Sequence, residues 1–82
     1  MNEKTIRALL EASAVRAARI VARGQLLYVE ISTAAGWRTA ETNAGKPKTW
    51  RSIDSAAKWL RNLGIGTAQL SIGDWQPGQR EL

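Results

Sequence analysis

The sequence predicts a small α+β domain: an N-terminal helix, a small antiparallel sheet of three to four strands, an amphipathic helix and a closing strand. Three observations support this fold class. A length of 82 residues suits a single domain. Apolar and polar residues alternate over residues 26–33, and apolar residues recur at helical spacing over residues 53–63. We expect one domain over residues 1–76 and a flexible tail over residues 77–82.

The first segment predicts a helix that begins after Asn2 and ends near Ser13. Asn2 is a favourable N-cap residue, and Glu3 stands where the helix dipole stabilises an acid. Apolar residues of this segment share one face: Ile6, Leu9 and Leu10. This stripe predicts that the helix packs against the rest of the domain.

Residues 14–22 leave two alternatives open. Their alanines favour continuation of the helix, whereas residues 18–22 also suit a strand. We prefer the strand, because Gly24 supplies a turn into the alternating run over residues 26–33. The preferred structure is therefore a β-hairpin.

A third strand is expected over residues 37–42, after a turn at residues 34–36. The combination of Asn, Gly and Pro over residues 43–48 is the strongest turn signal in the chain. Residues 49–51 are candidates for a further short strand. The chain order so far is helix, strand, strand, strand.

The second helix is predicted over residues 53–63. Ser52 is its N-cap, and Gly64 ends it as the residue best suited to a left-handed conformation. Its apolar residues recur at helical spacing: Ile53, Ala56, Ala57, Leu60 and Leu63. The alternation over residues 67–72 then predicts the closing strand.

The composition excludes most catalytic chemistry. The chain contains no Cys and no His, which removes disulfides, thiolate zinc sites and the usual general base. Glu30 and Glu41 could share a metal ion across neighbouring strands, but solvent-facing strand residues are the preferred interpretation. Gly64 and Gly66 follow a helix and not a strand, so they predict a helix stop and not a phosphate loop. We expect no enzyme, no catalytic residue, no metal and no cofactor.

The sequence also argues against a membrane protein. No apolar run approaches the ~20 residues that a spanning helix needs. Glu3 and Glu11 interrupt the N-terminal segment, which is unlike the apolar region of a secretory signal. We expect a cytoplasmic protein.

Basic residues are the most informative set. The formal net charge is +5, and the segment from Trp37 to Arg61 carries six cations against Glu41 and Asp54, an excess of +4. Cations neutralise phosphates, and aromatic rings such as Trp37 stack on exposed bases. The alternative is a solvated surface. The candidate nucleic-acid-binding residues are Arg38, Lys46, Lys48, Arg51, Lys58 and Arg61.

The tryptophans have two interpretations. The chain has four Trp, one Tyr and no Phe, so a thin core would use the indoles as bulky fillers, and we expect at least two to be buried. An indole that stays exposed is a candidate interface anchor. The interface candidates are Trp37, Trp50 and Trp75.

One long segment is similar to a known family. The stretch KTWRSIDSAAKWLRNLGIGTAQL over residues 48–70, with DWQPGQ over 74–79 and IRALLEA over 6–12, resembles the ParC-family partition-associated proteins of bacterial plasmids and integrative elements. The resemblance implies a role beside the segregation ATPase and the centromere-binding protein of a mobile element. It implies no catalytic or binding residues.

A second likeness is at the level of the fold. The arm-site DNA-binding domains of tyrosine recombinases place a three-stranded sheet before a helix, as residues 26–63 could do here. The preceding helix and the closing strand depart from that pattern. This likeness is an analogy and does not fix a function.

The leading functional expectation is a non-catalytic accessory protein of plasmid maintenance or partition that binds DNA through a basic face of the sheet. The alternative is a protein-interaction module without DNA affinity. It would act as an adaptor of the partition machinery or as a small inhibitor of a host defence or nucleic-acid enzyme. A homodimer is a further possibility, because a small domain with an exposed edge strand can pair across a two-fold axis.

Overall fold

The structure, a computed structural model, describes residues 1–76. Residues 77–82, where a flexible tail is predicted, lie outside the described residues. The elements follow the predicted order, and this confirms the α+β fold class. They are α1 (Glu3–Glu11), β1 (Ala17–Gly24), β2 (Leu26–Thr33), β3 (Gly36–Thr39), α2 (Ile53–Leu63) and β4 (Gln69–Trp75).

The helix ends confirm the predicted capping residues. The Asn2 side chain accepts a hydrogen bond from the Thr5 backbone N–H at 2.9 Å, and Ser52 accepts one from the Ser55 N–H at 3.1 Å. Each bond satisfies a backbone donor that has no partner inside its helix. Gly64 ends α2 with a left-handed backbone, φ 99°. Capping therefore fixes both ends of α2.

Within residues 1–76 the strands form one sheet in the order β3-β2-β1-β4. The predicted hairpin is confirmed, since β1 and β2 pair antiparallel with Ile20 opposite Val29. The closing strand is also confirmed, but β4 pairs parallel with β1, where Leu70 lies beside Ile20. The sheet is therefore mixed and not antiparallel throughout. The reason is that α2 returns the chain to the end of the sheet where β3 began, so β4 runs in the direction of β3 and β1.

The segment after β3 departs from the predicted strands. The predicted strand over 37–42 ends at Thr39, although the buried Ala40 still donates a backbone hydrogen bond to Val29 of β2. In place of a strand over 49–51, a single antiparallel bridge joins Trp50 to Leu27. The predicted turn is confirmed, with Gly45 at φ 84°. The turn brings residue 50 back alongside β2.

The core lies between α1, α2 and one face of the sheet. Alternate residues of β1 and β2 are buried on that face, including Ile20, Val29 and Ile31, and Ile6 of α1 and Leu60 of α2 cover them. Four of the other buried residues are alanines: Ala18, Ala22, Ala40 and Ala56. Small side chains allow the helices to approach the sheet closely, because little volume separates the two layers.

The prediction that at least two tryptophans are buried is wrong. Among the described residues, Trp50, Trp59 and Trp75 are half-buried at the border of the core, and Trp37 is 38% exposed. The alanine-lined interior leaves no space for an indole, so the rings pack around its rim. Neither helix within residues 1–76 has the length and apolar character to cross a membrane.

Candidate nucleic-acid interface

Two residues singled out in the sequence, Lys48 and Trp50, meet on the helix-covered side of the sheet. The bridge between Trp50 and Leu27 puts the indole on the same face as the buried Leu27. The ring lies 5.1 Å from that of Trp59 of α2, centroid to centroid, with the planes tilted by 48°. The Lys48 Nζ lies 5.6 Å from the Trp50 ring and 5.8 Å from the Trp59 ring. We call these three residues the aromatic cluster.

Glu3 attaches α1 to the aromatic cluster. The indole N–H of Trp59 donates to Glu3 Oε1 at 3.2 Å, and Arg7 donates to Glu3 Oε2 at 3.0 Å. These hydrogen bonds, first that from Arg7 and then that from Trp59, lower the pKa of the Glu3 carboxyl from its usual 4.5. The cluster thus joins α1, α2 and the segment after the turn, and it fixes where the Lys48 ammonium stands.

The six predicted nucleic-acid-binding residues lie on three parts of the chain: Arg38 on β3, Lys46, Lys48 and Arg51 in the segment between β3 and α2, and Lys58 and Arg61 on α2. We call them the basic surface: Arg38, Lys46, Lys48, Arg51, Lys58 and Arg61. Arg38 is opposite the buried Ile31 in the β2–β3 ladder, and Lys46 lies in the exposed turn. Arg38, which lies in a strand, is therefore on the helix-covered face of the sheet.

The basic surface is spread out and is not one tight cluster. Lys58 and Arg61 lie one turn apart on the exposed side of α2, after the exposed Asp54. Arg61 also borders a groove beside Ile20 of β1. Arg38 is on β3, two strands away from β1. A ligand that engages all six residues must therefore be extended along the domain.

Within residues 1–76 no cation of the basic surface forms an ion pair with a carboxylate, although the Glu3 carboxylate attracts Lys48 at longer range. The ion pairs there use other groups: Arg7 with Glu3, Arg19 with Glu30, and the Met1 amino group with Glu41. Asp54 and Lys58, four positions apart on α2, do not form an ion pair among these residues. Glu30 and Glu41, considered as a metal pair, each contact a cation instead. Five of the six cations are exposed, and Lys48 is half-buried in the aromatic cluster.

The open face of the sheet carries a different arrangement. The Arg19 guanidinium lies 4.0 Å above the Trp37 ring and forms an ion pair with Glu30. Arg23 lies 5.9 Å from the ring of Tyr28. Sequence reasoning missed these contacts, although the alternation in β1 and β2 assigns these side chains to one face. Pairing with Glu30 leaves this face less positive than the helix side.

Sequence reasoning also left Trp59 and Glu3 out of the site. Trp59 borders the apolar stripe of α2, a position that is typical of partial burial. Its contact with Glu3 joins residues 56 positions apart, which no local pattern indicates. Of the predicted interface residues, Trp50 belongs to the cluster, Trp37 lies on the open face, and Trp75 is opposite Gly24 at the end of β4.

Comparison with known proteins found no relative of this chain. No protein-family model matches the chain, and neither a curated protein nor a solved structure matches it.

Proposed function

We propose that this chain is a non-catalytic DNA-binding protein that contacts the phosphate backbone through the basic surface. The observation that carries the proposal is that, within residues 1–76, none of these six cations forms an ion pair with a carboxylate. A cation without a carboxylate partner binds phosphate oxygens with a more favourable free energy than a paired one, because no existing ion pair has to be broken.

The residues have distinct roles in this proposal. Lys58 and Arg61 present charge along the exposed side of α2, and Lys46 does so from the turn. Lys48 stands against two indoles, which restricts its side chain and reduces the entropy that binding would cost. Contacts from Lys and Arg to phosphate position a protein without reading sequence. We therefore expect binding to differ little between DNA sequences.

The proposed process is the maintenance or partition of a plasmid or integrative element, with action in the cytoplasm. The sequence resemblance over residues 48–70 supports this part of the proposal. The protein would act there as an accessory to element-encoded partition proteins and use no cofactor.

Fluorescence anisotropy with a short labelled duplex tests the DNA binding. Six phosphate contacts predict that log K falls against log salt with a slope of about −5.4. A second duplex of random sequence is the control for sequence dependence, and its binding constant should be similar to that of the first duplex. Absence of binding at ~50 mM salt, where the electrostatic contribution is large, would contradict the proposal.

A protein-interaction module without DNA affinity is the second candidate. Trp37 favours it, because an indole that is 38% exposed beside Arg19 is the kind of residue that anchors protein interfaces. The discriminating experiment is a pull-down with nuclease treatment, combined with Trp37→Ala. Retention of one element-encoded protein that survives nuclease and is lost in the variant, together with no anisotropy change, would favour this candidate.

A further inference from the structure

Strand β4 lies at the edge of the sheet and is exposed along most of its length. Residues 69–74 are all exposed, with Leu70 at 47% and Ile72 at 49% of their full accessible surface. Among the described residues, its outer edge has no strand partner. Backbone donors and acceptors of such an edge are available to another strand.

The apolar side of β4 continues a groove beside α2. The groove has a volume of about 300 Å³. Its apolar lining comes from β1, α2 and the segment before β4: Ile20, Ala57, Leu60, Ile65 and Ala68. Leu70 pairs with Ile20 in the ladder and so lies on this same face. Because α2 packs against β1 and β2, it leaves the apolar side chains of β4 uncovered.

The two sheet edges differ in the features that discourage pairing. Strand β3 has four residues and carries Arg38, whereas β4 has seven residues with no Lys, Arg or Pro. Short length, charge, proline and β-bulges are the usual protections of an edge strand, and β4 carries one charge, Asp74. β4 does contain an irregularity, because its register against β1 shifts after Ser71. Residues 69–71 precede that shift and form the regular part of the edge, and Ile72 follows directly after it.

Charge indicates what kind of partner fits this edge. Residues 62–76 contain no cation and one acid, Asp74, in a chain of net charge +5. The edge strand itself therefore offers DNA no cation, although Arg61 of the basic surface borders the groove beside it, whereas a second copy can pair with the strand through backbone groups and apolar side chains. Strand β2 also lacks cations, but it cannot pair with a second copy because β1 and β3 already occupy both of its edges.

We propose that β4 pairs antiparallel with β4 of a second copy, which joins the two sheets into one across a two-fold axis at Ser71. This register places Leu70 of each copy opposite Ile72 of the other, so the most exposed aliphatic residues of the strand form two cross-strand pairs. The same patch serves both copies, as a two-fold interface requires. The dimer does not depend on DNA binding, and either proposal can fail alone.

Sedimentation equilibrium tests the dimer. The wild-type chain should approach twice its mass of 9.0 kDa as concentration rises. Ile72→Lys should return it to the monomer mass, because each copy would then place one lysine at the shared strand edge. Ala44→Lys adds the same charge in the exposed turn and should leave the dimer intact. A monomer at every concentration, or a dimer that Ile72→Lys does not weaken, overturns the proposal.

A cysteine cross-link tests the register, because the chain has no Cys of its own. At the two-fold axis the residues at position 71 are opposite each other, with Cα atoms about 4.5–5.5 Å apart, which a disulfide can span. Ser71→Cys should form a disulfide-linked dimer roughly tenfold faster than the exposed control Thr49→Cys under mild oxidation. Equal rates would overturn this register, and circular dichroism would confirm that both variants are folded.

Discussion

The indole rings of Trp50 and Trp59 lie 5.1 Å apart. Trp50 belongs to the segment that returns from the exposed turn, and Trp59 belongs to α2, so this contact holds α2 against the chain that leads into it. The Lys48 ammonium lies within 6 Å of both ring centroids. The contact therefore positions one cation of the basic surface relative to those on α2.

Replacement of Trp59 should separate the contribution of the ring from that of its N–H group. Trp59→Ala removes a half-buried indole and should lower the free energy of unfolding by about 2 kcal/mol, less than the 3–5 kcal/mol typical of a fully buried aromatic residue. Trp59→Phe keeps an aromatic ring but loses the hydrogen bond to Glu3, and it should cost about 1 kcal/mol. Urea unfolding measures both values.

Trp37→Ala is the matched control for the same experiment. It removes the same kind of ring, an indole, from the open face, where the contact with Arg19 is partly exposed. The free energy of unfolding should fall by less than about 1 kcal/mol. If Trp59→Ala were no more destabilising than Trp37→Ala, the aromatic cluster would have no structural role.

The pH dependence of the free energy of unfolding should reveal the contribution of the Glu3 carboxylate. Because folding lowers the pKa of Glu3, its contribution is fully present above the unfolded value of 4.5 and is lost as pH falls through the lower folded value. The stability difference between wild type and Glu3→Gln should therefore be largest at neutral pH and vanish in acid. Thermal unfolding from neutral pH down to about pH 3 measures it.

Glu11→Gln makes the same charge change at the other end of α1. Among residues 1–76, the Glu11 side chain forms no ion pair, so this variant should follow the wild-type curve closely. A constant difference between wild type and Glu3→Gln at all pH values would contradict the assigned contacts of Glu3.

Two glycines near the end of α2 should respond differently to alanine. Gly64 has φ 99°, which an L side chain rarely adopts, so Gly64→Ala should destabilise the fold by about 1 kcal/mol. Gly66 has an ordinary φ and open space around it, and Gly66→Ala should change stability by less than about 0.5 kcal/mol. Equal losses in the two variants, measured by urea unfolding, would show that helix termination does not depend on the Gly64 conformation.

Local patterns in the sequence predict most of the fold. Ser52 and Gly64 mark the ends of α2 because their roles depend only on neighbouring backbone groups. The alternation over β2 predicts which side chains are buried. The parallel pairing of β4 with β1 was not predictable in this way, because alternation assigns faces but names neither the partner strand nor its direction.

The site was predicted less completely than the fold. Lys48 was predicted from the charge pattern and Trp50 as an interface candidate, and the structure brings them together. Trp59 completes the aromatic cluster and Glu3 binds to it, in both cases through contacts between distant segments, which local composition does not encode. The error about buried tryptophans has a packing cause: Ala18, Ala22, Ala40 and Ala56 narrow the interior, so the indoles remain at its rim.

The central claim is that DNA binding resides on the basic surface and does not follow from net charge alone. Two double variants remove the same charge: Lys58→Gln with Arg61→Gln, and Arg16→Gln with Arg23→Gln outside that surface. All four side chains are exposed, so both proteins should fold. The variants therefore differ mainly in where the charge is lost.

The most direct test is the slope of log K against log salt for these two double variants. We predict a slope of about −3.6 for Lys58→Gln with Arg61→Gln, against about −5.4 for wild type, because two of six phosphate contacts are lost. The other double variant should keep a slope close to that of wild type. Equal slopes for the two double variants would contradict a DNA-binding role for the basic surface.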